Sequence, residues 1–437
     1  MAEQLFNTEQ AKERVILVAL ENQKNSASFA YTIEEFKNLA AANNLNVVDV
    51  LTQKYDRPNA GTYFGKGKVT ELKELVAARE AELVISNDDL TATQIRNLEK
   101  KIGGGTRVVD RTALILDIFA SRAKSKLAKL QIRLAQKQYQ LPRLHTALVN
   151  ELDQQGGAGG GSFTSRGSGE TKLELNRRTI EDQIAQIKAE LKTLLSASTV
   201  QRSQRDHSGL KTVALVGYTN AGKSTWMNRM IEKYSESKED IDDKKVFEKD
   251  MLFATLDATV RAIRLPNKRR FLLSDTVGFV SNLPHNLIAS FQSTLDEAVH
   301  ADLLVQIVDV SDPHYRDMMA TTKSTLAAIG AEQIPMVTVF NKADKAGVTY
   351  PERSGEDLIA SALDDNSLDA FIKLLDEKLF ADFKTVELMI PFDKGAVVNR
   401  ILNGNNVLEQ DFTAQGTRLR VELPAAQIET YQAFIQK

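Results

Sequence analysis

The chain of 437 residues contains no cysteine, which excludes disulfides, thiolate zinc sites and cysteine nucleophiles. It also lacks an excess of either charge. Against 56 Lys and Arg stand 58 Asp and Glu, a formal net charge of −2, so the overall balance gives no sign of nucleic-acid binding. Any such argument must rest on a local patch. No apolar run approaches the ~18 residues of a membrane span, and the opening "MAEQLFNTEQAKERVILVAL" is acidic and polar before a short apolar run, unlike a secretory signal. The expected location is the cytoplasm, with peripheral attachment to a membrane as the alternative, and the expected state is a monomer. What is present, 42% hydrophobic and 26% charged residues, describes a globular protein of roughly three units at ~150 residues each.

Residues 1–111 read as a small α/β domain. "VILVAL" (15–20), "VVDVLT" (47–52) and "LVIS" (83–86) have the composition of buried strands, and helical patterns at 33–43, 68–80 and 92–101 alternate with them. Such alternation implies a parallel sheet with right-handed crossovers. Over 112–200 the period changes. Leu127, Leu130, Leu134, Leu141, Leu144 and Leu148 fall on a 3,4 spacing, and beyond a glycine-rich loop Ile180, Ile184, Ile187, Leu191 and Leu194 repeat it. Two such seams predict an antiparallel helical hairpin with an arm on the order of 40 Å, and Pro142 is placed to kink its first helix. "QRSQRDHSG" (201–209) reads as a polar linker. Residues 210–380 form a second α/β unit, and 381–437 a small α+β domain with a strand at 385–390, a helix at 393–403, a hairpin around "TAQGTRLRVEL" and a last helix.

The second α/β unit carries the chemistry. Gly217, Tyr218, Thr219, Asn220, Ala221, Gly222, Lys223 and Ser224 match G-x-x-x-x-G-K-[ST] between a strand, "VALV", and a helix. In such a loop the backbone N–H groups wrap phosphate oxygens at a helix N-terminus, Lys223 reaches the β- and γ-phosphates, and Ser224 ligates magnesium. "LLSDTVGF" follows, with Asp275, Thr276, Val277 and Gly278 as D-x-x-G: the carboxylate can hold magnesium through water and the glycine amide can meet the γ-phosphate. Asn341, Lys342, Ala343 and Asp344 form N-K-x-D after a β-branched strand. An Asp carboxylate there accepts from guanine N1–H and N2–H₂ together, a pattern adenine does not offer. Ser361 and Ala362 are expected to back the guanine through main-chain N–H groups. The segment that senses the γ-phosphate is expected in "LFATLDATVR" (252–261), where Thr255 and Thr259 are both possible magnesium ligands; the acidic run "ESKEDIDDKK" before it reads as a solvated insertion.

The string from "GYTNAGKST" through "LFATLD", "DTVGF" and "SNLPHNLIASFQSTLDEA" to "NKAD" closely resembles the HflX GTPases, of the translation-factor-like P-loop class. The resemblance extends to "YFGKGKVTEL" (63–72) and "RGSGETKLELNRR" (166–178), and so covers most of the chain. It implies GTP and Mg²⁺ as cofactors, with Ser224 and Thr255 on the metal. It assigns Phe253, Ala254, Thr255, Leu256 and Asp257 to switch I, Asp275–Gly278 to switch II, and Asn341–Asp344 with Ser361 to guanine. Lys223, Thr255 and Gly278 are then the residues expected to act in the reaction. It also implies a partner, the large (50S) ribosomal subunit, and the separation of stalled ribosomes. The chain departs from the pattern at Ala258, where proline is expected, and in the acidic insertion at 235–245. Where other GTPases place a glutamine that orients the attacking water, this chain has Phe279, which predicts slow intrinsic hydrolysis accelerated by a partner.

A local basic patch does exist. Between Asp117 and Glu151 no acidic residue occurs, while Arg122, Lys124, Lys126, Lys129, Arg133, Lys137 and Arg143 are all positive, and Arg166, Lys172, Arg177 and Arg178 continue the series. One-signed charge on an extended arm suits phosphate contacts, so the hairpin (122–143) and the loop (156–178) are the expected contacts to ribosomal RNA. Half of the residues from Gly156 to Gly169 are glycine, and the loop is expected to order on RNA with Phe163 free to stack on a base. "YFGKGKV" is expected to contact RNA backbone or form a structural turn. The rival readings are a signalling module whose arm binds an acidic protein, and an RNA-remodelling ATPase working through the N-terminal domain.

Overall fold

The computed structural model describes residues 12–23, 25–144, 166–207, 210–234, 259–281 and 292–436. Several expectations fall outside these residues: Leu148, the glycine-rich segment 156–165 with Phe163, the acidic insertion at 235–245, Phe253–Asp257 and Ala258. The described residues form two compact units, one up to Thr199 and one from Val200 onward.

In the first unit, β1 (Arg14–Glu21), β2 (Asn46–Lys54), β3 (Leu83–Ser86) and β4 (Arg107–Asp110) make a parallel sheet in the order β2-β1-β3-β4. β1 is buried along nearly its whole length, as a continuous apolar run between two covered faces must be. α1 (Phe29–Ala42), α2 (Lys66–Arg79), α3 (Ala92–Ile102) and α4 (Arg111–Arg122) connect and cover the strands. α3 begins with a reciprocal cap in which Thr91 accepts from the Gln94 N–H while the Gln94 side chain accepts from the Thr91 N–H. "YFGKGK" enters α2 with Tyr63 and Phe64 buried in the core, so its aromatic half is structural.

The hairpin begins later than the sequence suggests. α4 buries Leu114, Ile115, Leu116, Ile118 and Phe119 and packs against α1, β3 and β4, so it belongs to the sheet domain. The chain breaks helix at Ala123, which is extended, and Ser125 caps α5 (Lys126–Gln140) by accepting from the Ala128 N–H at 3.0 Å. Leu127, Leu130 and Leu134 of α5 then pack with Ile184, Ile187, Leu191 and Leu194 of α6 (Arg166–His207), joining the two seams that the leucine spacing predicts. Pro142 does not kink this helix in its middle; α5 ends at Gln140 and Leu141–Arg143 turn tighter. The expected linker at 201–209 is helical as far as His207, because α6 continues through "QRSQRDH" without a breaker residue.

In the second unit, β5 (Lys211–Gly217) leads through the glycine loop into α7 (Lys223–Tyr234). β6 (Thr259–Arg264), β7 (Arg270–Asp275), α8 (Gln292–Val299), β8 (Leu303–Asp309), α9 (Tyr315–Ala328), β9 (Met336–Asn341), α10 (Ala343–Ala346), β10 (Glu352–Ser354), β11 (Asp357–Ile359) and α11 (Asp365–Leu379) follow. The sheet order is β10-β11-β9-β8-β5-β7-β6, parallel in its centre with antiparallel strands at both edges. Its core gathers Trp226, Phe271 and Phe371 with Leu and Val from the central strands. β12 (Lys384–Ile390), α12 (Gly395–Gly404), β13 (Asn406–Thr413), β14 (Gly416–Leu423) and α13 (Ala425–Thr430) make the α+β tail, an antiparallel sheet in the order β12-β14-β13. Arg269 ties the tail to the larger sheet, with Asp376 at 2.9 Å and Glu422 at 2.7 Å.

Within the first unit one carboxylate gathers four segments. Asp110, fully buried at the end of β4, caps α4 through the Ala113 N–H at 3.0 Å and accepts from the Leu90 N–H at 3.2 Å. It also accepts from the Tyr139 hydroxyl at 2.8 Å and the Arg143 guanidinium at 3.0 Å, and that guanidinium lies 3.7 Å over the Tyr139 ring. Replacing Asp110 by alanine strands a half-buried guanidinium and uncaps a helix, so Asp110→Ala should destabilise this unit by about 3 kcal/mol in urea unfolding. A loss under about 1 kcal/mol would show that the carboxylate does not hold the end of α5 in place.

Candidate nucleotide site

The glycine loop lies where β5 sits between β7 and β8, at the carboxyl ends of the parallel strands, the crevice in which open α/β sheets bind ligands. Gly222 adopts φ +99°, and a Cβ there would fall 2.2 Å from Asn341 Nδ2, so no side chain fits. The reason for this crowding is Asn341, 3% exposed. Its Nδ2 donates to the Ala221 carbonyl at 2.8 Å and its Oδ1 accepts from the Ala362 N–H at 3.0 Å. One carboxamide thus joins the phosphate loop, the N-K-x-D strand end and the loop after β11.

Lys223 is 6% exposed, and its ammonium donates to the Gly217 carbonyl at 3.0 Å and the Tyr218 carbonyl at 2.8 Å. The Ser224 hydroxyl donates to Asp275 Oδ2 at 2.8 Å, bringing together the residues expected at the metal. Among the described residues no cluster of three or more His, Cys, Asp or Glu could hold a metal by itself. A hydroxyl and a carboxylate in contact are nonetheless the hard oxygen donors that Mg²⁺ takes beside phosphate oxygens and water. Thr259 opens β6 in register with Asp275, whereas Thr255 lies outside the described residues.

The base side is a cavity of about 190 Å³ bordered by Asn220, Thr225, Asn341, Asp344, Ser361 and Leu363 among others. Asp344 is exposed there, its carboxylate open to a ligand, while Lys342 pairs with Asp309 at 2.7 Å. Asp309, at the end of β8, escaped the sequence reading, although an acidic residue closing an apolar strand beside N-K-x-D was a signal for it. The Ser361 N–H donates to Ser367 Oγ at 3.2 Å and the Ala362 N–H to Asn341 Oδ1 at 3.0 Å, so both amides brace the loop beside the cavity that their residues line. The Thr276 hydroxyl donates to the Leu215 carbonyl at 2.7 Å and Val277 is buried, which fixes the segment between Asp275 and Gly278 against the sheet.

A phosphate loop, a D-x-x-G strand end and an N-K-x-D corner on one sheet define a P-loop GTPase. Family models match three stretches of the chain: residues 30–120 the GTP-binding GTPase N-terminal family, 122–205 the GTP-binding GTPase middle region, and 212–342 the 50S ribosome-binding GTPase. The GTPase HflX of Caldanaerobacter subterraneus subsp. tengcongensis is 39% identical over 97% of this chain and 94% of its own length. That of Alkalihalophilus pseudofirmus is 41% identical over 88% of this chain and 87% of its own. A GTP-binding protein from Sulfolobus solfataricus, solved with GDP, covers 84% of this chain and 99% of its own at 20% identity and a TM-score of 0.43. The chain belongs to the HflX family of GTPases, and so binds guanine nucleotide and hydrolyses GTP. No helix among the described residues is long and apolar enough to cross a membrane.

Burial lowers the Lys223 ammonium from its ordinary 10.5 to about 8, with Asp275 opposing the shift. The nucleotide-free fold bears the full cost of the buried charge below about pH 8, and its stability rises as the pH climbs from there toward 10.5. Phosphate needs the charged form, so nucleotide affinity moves the other way. GDP affinity should fall about tenfold between pH 7 and pH 9 in equilibrium titrations, and the fall should vanish in Lys223→Ala. A flat profile for the unaltered protein would contradict the depressed ammonium.

Proposed function

We propose that this GTPase acts on the large ribosomal subunit, using GTP to time its affinity and separating or rescuing stalled ribosomes. The observation that carries this reading is the outer face of α5. Lys126, Lys129 and Arg133 are exposed at helical spacing and make no ion pair among the described residues, on a helix without acidic side chains. A solvated helix face normally mixes both signs; a one-signed face is built for polyanion. The face is narrower than the sequence suggests. Arg143 is spent on Asp110 and the Leu90 carbonyl, and Arg122 donates to the Ala42 carbonyl at 3.1 Å, so both leave the set of RNA contacts. Arg177 and Arg178 pair with Glu181 and Glu174 on exposed surface, where such pairs are weak and a phosphate can compete.

In the reaction, Lys223 neutralises charge on the β- and γ-phosphates, the Gly278 N–H meets the γ-phosphate, and Ser224 with Asp275 would hold Mg²⁺, joined by Thr255 from switch I. When bound, the metal would neutralise charge on the phosphates. Phe279 is 1% exposed, so its ring packs inside and orients no water, which fits slow hydrolysis until a partner completes the site. The protein works as a monomer in the cytoplasm. An acidic protein partner for the arm, or an ATPase in the N-terminal domain, has no comparable observation behind it.

Cosedimentation with purified large subunits across a KCl series tests the reading. Reversing three charges in Lys126→Glu, Lys129→Glu and Arg133→Glu together should weaken binding at least about tenfold and flatten the salt slope by about 2 to 3, near 0.7–0.9 per lost phosphate contact. Weaker binding with an unchanged slope would direct the arm to a protein surface.

A further inference from the structure

The phosphate loop and switch II are fastened together by contacts that serve neither phosphate nor base. The Tyr218 side chain is 4% exposed. Its hydroxyl stands 2.6 Å from Ser281 Oγ and accepts from the Ser281 N–H at 2.7 Å. Between these residues the backbones pair: the Thr219 N–H donates to the Phe279 carbonyl at 2.8 Å and the Phe279 N–H to the Gly217 carbonyl at 3.1 Å. The parallel pairing of β7 with β5 therefore runs past the end of β7 and carries residues 275–281 across the mouth of the loop.

This closure is tight. A Cβ at Gly278 would lie 2.8 Å from Thr219 Cα and Cγ2 and 3.0 Å from Lys223 Nζ. It also leaves a buried polar group unmet, since Thr219 Oγ1 finds no hydrogen-bond partner among the described residues. A γ-phosphate must place its oxygens between the Lys223 ammonium and Gly278, where the closed arrangement crowds the backbone against the loop. GDP ends one phosphate short of that position.

We propose that the Tyr218 hydroxyl is a positioning group that latches switch II onto the phosphate loop when no γ-phosphate is present, and that GTP binds at the expense of the latch. Lifting residues 278–281 breaks the Thr219–Phe279 bond and the contacts of the Tyr218 hydroxyl with Ser281, and offers the Gly278 N–H to the phosphate. A ligand shifts such an equilibrium only by its difference in affinity for the two arrangements, so the latch tunes discrimination between GTP and GDP. The latch belongs to the nucleotide cycle itself and is independent of the ribosomal partner.

Tyr218→Phe keeps the ring and removes the hydroxyl. Affinities for GDP and for a non-hydrolysable GTP analogue, measured by competition against a fluorescent nucleotide, should shift in ratio toward the analogue by about tenfold, the effect of losing a buried hydroxyl contact. Ser281→Ala retains the N–H donated to Tyr218 and should shift the ratio by about threefold. Thermal melting reports whether each variant folds, and if Tyr218→Phe does not, Ser281→Ala decides alone. An unchanged ratio in a folded variant, even with both affinities reduced together, overturns the latch and leaves Tyr218 as packing.

Discussion

The nucleotide site depends on one buried side chain. Asn341 donates to the phosphate loop and accepts from the loop after β11, and it stands at the end of the strand that presents Lys342 and Asp344. A carboxamide is the side chain suited to this, because it offers a donor and an acceptor in one plane to two main chains that run past it. The glycine at 222 follows from the same contact, since the carboxamide fills the space a Cβ would need. Phosphate recognition and base recognition, separated by more than a hundred residues in the chain, are thereby set in one frame.

The basic residues of the first unit fall into two groups. Arg143 and the buried Arg111 spend planar guanidiniums on buried carboxylates: Arg143 meets Asp110, and Arg111 meets Glu35 at 3.1 Å. Lys126, Lys129 and Arg133 of α5 remain on the surface as solvated charges. A patch that looks uniform in sequence is thus two things: an anchor that fixes the end of α5 against the sheet, and a face left over for a polyanion.

Much of this was legible in advance, and what was not has identifiable causes. The phosphate loop, D-x-x-G and N-K-x-D can be read because each position is dictated by local chemistry, and the seam of Leu127, Leu130 and Leu134 against Ile184, Ile187 and Leu191 because helical packing imposes a period. β4 escaped notice: "RVVD" is four residues after a glycine run, too short for periodicity to declare itself. The sequence places the start of the hairpin too early because α4 and α5 both carry an apolar face and are separated by only three residues, of which Ala123 and Ser125 are extended. The fates of Arg143, of the Ala362 amide and of Tyr218 depend on partners far away in sequence, which no local pattern announces.

The frame set by Asn341 can be tested without the base. Pyrophosphate engages the phosphate loop alone, so its affinity, measured by competition with a fluorescent nucleotide, isolates one half of the site. If Asn341 holds both halves, Asn341→Ala should weaken pyrophosphate as well as GDP, each by about tenfold or more, as expected when a buried carbonyl and N–H lose their partner. Pyrophosphate affinity that is unchanged while GDP affinity falls would contradict the account and reduce Asn341 to a reader of the base.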